Sequence, residues 1–137
     1  MATDIARLER LRQIALFSKL DDATLERILD IANEVDIPAG QVFVEAHLEG
    51  SGMFVIEEGT VTVQAHDHTH DMGAGECVGE LALLTPEAVR TARVKAKTDV
   101  RCLAISRFDF GKLLESEPKL AIAMLEALAA RLVAATT

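Results

Sequence analysis

The amino-acid sequence predicts an α+β fold, an antiparallel, jelly-roll-like β-roll flanked by N-terminal and C-terminal helices. Three observations carry this expectation. Apolar residues recur at spacings of three and four at both ends of the chain, whereas from Gln41 to Ser106 the period drops to two. Glycines at Gly40, Gly50, Gly52, Gly59, Gly73, Gly75 and Gly79 fall between the alternating segments, where turns form. Short strands broken by turns at such intervals close into a small barrel or a double-sheet roll.

At the N-terminus, Ile5, Leu8, Leu11, Arg12, Ala15 and Leu16 keep helical spacing with charges between them, which predicts an amphipathic helix through Leu16. Asp21 or Asp22 is placed to cap a second helix whose apolar face is Leu25, Ile28, Leu29 and Ala32. Ile37-Pro38-Ala39-Gly40 then stops helix formation, so residues 1–35 read as a helical arm. The roll, residues 36–106, is expected to hold five or more strands, around Val42/Val44/Ala46, Met53/Val55, Val61/Val63/Ala65, Val94/Ala96 and Val100/Cys102/Ala104. Ser106-Arg107-Phe108-Asp109 is a capping box ahead of Phe110, Leu113 and Leu114. Pro118 suits the first turn of a last helix carrying Leu120, Met124, Leu125, Leu128 and Leu132, so residues 107–137 read as C-terminal helices. With no internal repeat and no linker, residues 1–137 form one domain.

Composition narrows the function classes. A chain of 137 residues is the size of one domain, which argues against a multidomain enzyme. Half the residues are apolar against eight Gly and three Pro, enough to build a core. Fourteen Lys and Arg stand against 22 Asp and Glu, a net charge of −8 that repels phosphate backbones; with no basic run, DNA binding by this chain itself is not expected. Cys77 and Cys102 are too few for a disulfide framework and lack zinc-site spacing, which suits buried thiols in a cytoplasmic setting. The charged N-terminus and the short run Leu120 to Leu125 predict neither export nor membrane insertion.

The chemically informative stretch runs from Gly79 to Val94. If it ends in a strand, Arg90, Ala92, Val94 and Ala96 share one face and Thr91, Arg93, Lys95 and Lys97 the other. Arg90 then sits among small apolar residues, and a guanidinium cannot shed its proton, so it needs an anion. Two are open on this pattern: the carboxylate of Glu80, or the phosphate of a ligand.

Val78-Gly79-Glu80-Leu81-Ala82-Leu83 followed, six residues on, by Arg90-Thr91-Ala92-Arg93-Val94-Lys95-Ala96 resembles the phosphate-binding cassette of the cyclic nucleotide-binding domain family, here spanning residues 79–92. Ile37-Pro38-Ala39-Gly40-Gln41 and Gly52-Met53-Phe54-Val55-Ile56-Glu57-Glu58-Gly59 resemble the family's two glycine-bearing turns, and Phe17-Ser18-Lys19-Leu20 and the terminal helices also fit, so the likeness covers nearly the whole chain. The resemblance implies that Glu80 accepts from the ribose 2′-hydroxyl and that Arg90 holds the cyclic phosphate. It further implies a pocket completed by the Thr91 hydroxyl, with the amides of Leu81, Thr91 and Ala92 nearby, Ala82 in the same set, and Gly79 admitting the backbone close to the sugar. The chemistry is consistent, since a carboxylate only accepts and a guanidinium only donates. The ligand implied is cAMP ahead of cGMP, with no further cofactor. The implied partners are a second copy or an attached effector, and the output is movement of the C-terminal helices.

Other features carry less. A helical apolar stripe is more often core than a lid, so Leu125, Leu128, Ala129 and Leu132 are expected chiefly as packing. His66, His68 and His70 would share a strand face suited to a metal, but the polar segment is expected to turn in its middle and break that face, and no metal site is assigned. No nucleophile, base and orienting acid occur together, so no catalytic residue is assigned and no enzyme activity is expected. The main rival is a ligand-free domain of the same fold serving as a dimerisation or docking module.

Overall fold

In the sequence Gly52-Met53-Phe54-Val55-Ile56 the alternation of polar and apolar residues disappears, which happens when both faces of a strand are covered. A computed structural model, which describes residues 4–44, 52–85 and 92–136, shows how. The strands are β1 (Asn33–Ile37), β2 (Val42–Val44), β3 (Gly52–Glu58), β4 (Val61–Gln64), β5 (Thr69–Met72), β6 (Cys77–Val78), β7 (Arg93–Ala96) and β8 (Val100–Ser106). They form two four-stranded antiparallel sheets, ordered β1-β8-β3-β6 and β2-β7-β4-β5. Residues of β3 serve both cores: Met53 and Val55 meet the helices, while Ile56 belongs to the core between the sheets.

The inter-sheet core is built from Ile37, Val44, Ile56, Val61, Val63, Val94, Ala96, Val100 and Cys102. In β7 the inward Val94 and Ala96 alternate with exposed Arg93 and Lys95, the face assignment the period of two requires. Four helices cover the first sheet: α1 (Asp4–Arg12), α2 (Asp22–Ile31), α3 (Arg107–Ser116) and α4 (Pro118–Thr136). Asp21 caps α2 by accepting from the Thr24 N–H at 2.9 Å, and Ser106 caps α3 by accepting from the Asp109 N–H at 3.1 Å. Phe17 and Phe110, both fully buried with ring centroids 6.0 Å apart, lock the N-terminal arm against α3.

Three expectations change. The first helix ends at Arg12 rather than at Leu16, and a 3-10 helix at Ala15–Phe17 follows. Ile14, Leu16 and Phe17 are all buried, and Ile14 and Leu16 would lie on opposite sides of an α-helix, so a tighter turn is what brings them to one core. Ile5, placed on the buried face by its spacing, is exposed. The sheet begins at Asn33, inside the stretch read as helical arm, because Val35 and Ile37 alternate with outward Glu34 and Asp36 along the edge of the first sheet. Ala46 lies outside the described residues.

Glu57 is the one buried charged residue among those described, at 1% exposure. Alternation along β3 places it beyond Met53 and Val55 on the helix-facing side, next to a register shift between Ile56 and Glu58. There α1 meets it with arginine. Arg7 Nε donates to Oε2 at 2.8 Å and Nη2 to Oε1 at 3.1 Å, a bidentate pair. Arg10 Nη1 stands 3.8 Å from the same Oε2, beyond hydrogen-bond reach, and Arg7 also meets Glu34 at 3.2 Å.

Candidate functional site

The site is assembled where β6 ends. Val78 and Cys77 pair with Phe54 and Val55 of the doubly buried β3, which fixes the direction in which the chain leaves the sheet. Gly79 follows with φ of 80°, a left-handed conformation in which a side chain would be strained. This turn launches a 3-10 helix, Glu80–Leu83, whose Leu83 is buried in the helix-facing core and anchors it. Glu80 is carried at the first position of that helix, partly open to solvent. Leu84 packs against the same core.

Across from Glu80 stands α4. Arg131 Nη1 donates to Glu80 Oε1 at 2.9 Å, joining residues 51 apart in sequence. Arg131 is a functional candidate that the sequence reading passed over, and a signal for it exists. The buried residues of α4 are Leu120, Met124 and Ala127, and the next position of that three-and-four progression is Arg131. A lone arginine continuing a buried stripe faces the body of the protein and finds an acid there.

Cys77 reports the local field. Burial pushes its thiol up to about 12, with the negative charges of Glu80 and Glu76 adding to the shift and Arg131 opposing it. Cys102, in the inter-sheet core, is likewise pushed up by burial to about 11. Cys77, expected to be buried, is only half so.

Of the other expected site residues, Ala92 is half-buried and packs against the inter-sheet core just before β7, on the face shared with Val94 and Ala96. The backbone of Leu81 and Ala82 belongs to the 3-10 helix with Glu80. Arg90 and Thr91 lie outside the described residues. The apolar stripe of α4 divides differently from the expectation of core packing: Leu128 packs against the core, but Leu125 and Leu132 are each 65% exposed and Ala129 is exposed too. A helix rich in alanine and leucine on every side gives no phase for its buried face, which here is set by Leu120, Met124 and Ala127.

The histidine-bearing segment turns, but at His66 and Asp67 rather than in its middle, so that only His66 is parted from the others and His68 and His70 stay side by side. The Ala65 N–H donates to the His68 carbonyl at 2.9 Å, so His66 and Asp67 form the tip between β4 and β5. His68 and His70 stack with ring centroids 5.3 Å apart, and His68 Nδ1 lies 2.8 Å from Asp67 Oδ1. Among the described residues no group of three or more His, Cys, Asp or Glu is placed to hold a metal ion. No helix among them is long and apolar enough to cross a membrane.

The chain is thus an antiparallel roll with covering helices, in which a left-handed glycine precedes a carboxylate that meets the last helix. Residues 34–117 match the model of the cyclic nucleotide-binding domain, and the chain belongs to that family. It is 39% identical over 108 residues to a cyclic nucleotide-gated potassium channel of Rhizobium etli, a match covering 79% of this chain and 30% of the channel. Its fold is similar to that of the N-terminal domain of a transcriptional regulator from Streptomyces coelicolor, with a TM-score of 0.83, 30% identity and 92% and 94% of the two chains covered. It is also similar to a structure from work on a cyclic-GMP-dependent signalling pathway regulating bacterial phytopathogenesis, with a TM-score of 0.68, 27% identity and 83% and 94% covered.

Proposed function

We propose that this chain is a cytoplasmic sensor domain that binds a 3′,5′-cyclic nucleotide, cAMP at least as well as cGMP, and passes occupancy to an attached effector through its C-terminal helices. The observation that carries this reading is the contact of Glu80 with Arg131, since it ties the carboxylate of the cassette directly to the last helix. In this reading Glu80 accepts from the ribose 2′-hydroxyl and Arg90, with the Thr91 hydroxyl and the amides of Leu81, Thr91 and Ala92, holds the cyclic phosphate. Gly79 and Ala82 shape the backbone that approaches the sugar. Its output is mechanical and not catalytic: a ligand that interacts better with one position of α4 than with another shifts the equilibrium between them. The preference for cAMP rests on the absence, next to Thr91 in the sequence, of an acidic partner for the amino group of guanine.

A second reading, a ligand-free docking or dimerisation module, is favoured by one observation. Ile122, Leu125, Leu132 and Val133 of α4 are exposed, an apolar strip that a second copy or an effector would cover. Titration calorimetry with cAMP and cGMP separates the two. Saturable binding at micromolar concentration, with cAMP at least as tight, is the expected result. Heat of dilution only for both nucleotides favours the docking module, and a clear preference for cGMP overturns the choice of ligand.

A further inference from the structure

We propose that His68 and His70 form a binding site for a divalent transition-metal ion, with Zn2+ as the type case, on the edge strand β5 of the second sheet. The turn that was expected to part these histidines comes earlier, at His66 and Asp67, and the face carrying His68 and His70 survives it. The site is independent of the nucleotide reading.

The backbone holds the pair in place. The His68 carbonyl accepts from the Ala65 N–H at 2.9 Å and His70 pairs opposite Val63, so both residues lie in extended chain, where positions two apart project from one face. Asp71, on the other face, accepts from Thr62 Oγ1 at 3.0 Å and from Lys97 Nζ at 2.8 Å, which ties β5 to the sheet. The ring spacing also fits: two imidazoles sharing one ion at a tetrahedral angle, each nitrogen about 2 Å from it, have centroids about 5 Å apart, against the 5.3 Å observed.

The tautomer of His68 is set by its neighbour. Asp67 Oδ1 lies 2.8 Å from His68 Nδ1, a contact that holds the Asp67 carboxyl below its usual range and so keeps it ionised. A carboxylate only accepts, so Nδ1 carries the proton, and in the neutral ring the lone pair is left on Nε2. A carboxylate behind a histidine is the arrangement that orients a metal-ligating ring and raises its basicity. Both histidines are exposed, so an ion reaches them from solvent. The chain supplies two ligands and water the remaining positions, in keeping with the lack, among the described residues, of a group of three or more His, Cys, Asp or Glu around one point. Imidazole nitrogens suit Zn2+, Ni2+ and Cu2+, whereas Mg2+ takes oxygen ligands.

Isothermal titration of the untagged chain with ZnCl2 at about pH 8, where an ordinary imidazole is neutral, tests the site, with MgCl2 as the negative control. Zinc is expected to bind and magnesium not. His68→Gln and His70→Gln should each weaken zinc binding by about ten-fold or more, because one imidazole alone loses the gain of a linked second ligand. Asp67→Ala should weaken it by about ten-fold through loss of ring orientation, and His66→Gln, parted from the pair by the turn, should leave it unchanged. Long-range 1H–15N spectra of the wild-type imidazoles supply a readout that does not depend on any variant folding: zinc should shift Nε2 of His68 while Nδ1 stays protonated. No zinc binding by the wild type, an unchanged affinity in His68→Gln or His70→Gln, or an equal loss in His66→Gln overturns the proposal. An unchanged affinity in Asp67→Ala, or a zinc-induced loss of the Nδ1 proton, overturns the orienting role of Asp67.

Discussion

Removing the arginine that holds the buried carboxylate of β3 tests the packing account most severely. In Arg7→Ala, Glu57 keeps its place in the helix-facing core, at 1% exposure, but loses both hydrogen bonds, from Nε at 2.8 Å and Nη2 at 3.1 Å. Stripping one partner from a buried pair costs about 3–5 kcal/mol, because the remaining charge is neither solvated nor compensated. Arg10, with Nη1 3.8 Å from the same carboxylate oxygen, retains part of the attraction, which places the expected loss at the lower end, about 3 kcal/mol. With an m-value of about 1.5 kcal/mol per M of urea, the unfolding midpoint should fall by about 2 M. The chain has no Trp and no Tyr, so urea unfolding is followed by far-ultraviolet circular dichroism rather than by fluorescence. The double variant Arg7→Met with Glu57→Met should recover most of the loss, since the desolvation cost of both charges disappears with them. A midpoint within about 0.5 M of the wild type for Arg7→Ala, or a double variant no better than the single one, would refute the reasoning.

Three further outcomes are expected. Glu80→Ala should weaken cAMP binding and largely erase discrimination against 2′-deoxy-cAMP, as the acceptor that reads the hydroxyl is gone; isothermal titration of the two nucleotides measures it, and wild-type discrimination in the variant would show that Glu80 is wrongly assigned. Ser106→Ala should lower stability by about 1 kcal/mol through loss of the α3 cap, seen as a shifted urea midpoint without a change in slope. Burial raises the thiols of Cys77 to about 12 and Cys102 to about 11 from 9.0, so the folded state keeps protons that the unfolded chain releases. The thiol contribution to stability is thus full below pH 9 and declines as the pH climbs toward about 11–12, and a Cys77→Ser, Cys102→Ser variant should show a shallower decline over that window.

What could be read from the sequence follows the physics of each element. The alternation of β7 and the cap at Ser106 are local patterns, and the structure reproduces both. Strands β1 and β5 are sheet edges made largely of polar residues, Asn33-Glu34-Val35-Asp36-Ile37 and Thr69-His70-Asp71-Met72, so their hydrophobic signal is too weak to announce them. For the candidate site, the motif singles out the stretch from Gly79 to Ala92, of which the structure describes Gly79 to Thr85 and Ala92, and Gly79 has the left-handed φ that favours glycine. The partner of Glu80 was not visible, because the contact with Arg131 joins segments 51 residues apart and depends on the phase of a helix whose apolar residues surround it. Buried Glu57 was missed for a related reason: its face is fixed by β3, but its neutralising arginines come from α1.

Arg90→Ala, measured by cAMP titration and by urea unfolding of the nucleotide-free protein, tests the phosphate assignment most directly. If Arg90 serves a ligand phosphate, removing it abolishes detectable binding, and the empty protein loses little stability because Glu80 already has a cation in Arg131. If Arg90 instead neutralises Glu80 within the fold, its removal strands a carboxylate and costs about 3–5 kcal/mol. Lost cAMP binding with a nearly unchanged urea midpoint is the predicted result; unchanged affinity with a large loss of stability would contradict it.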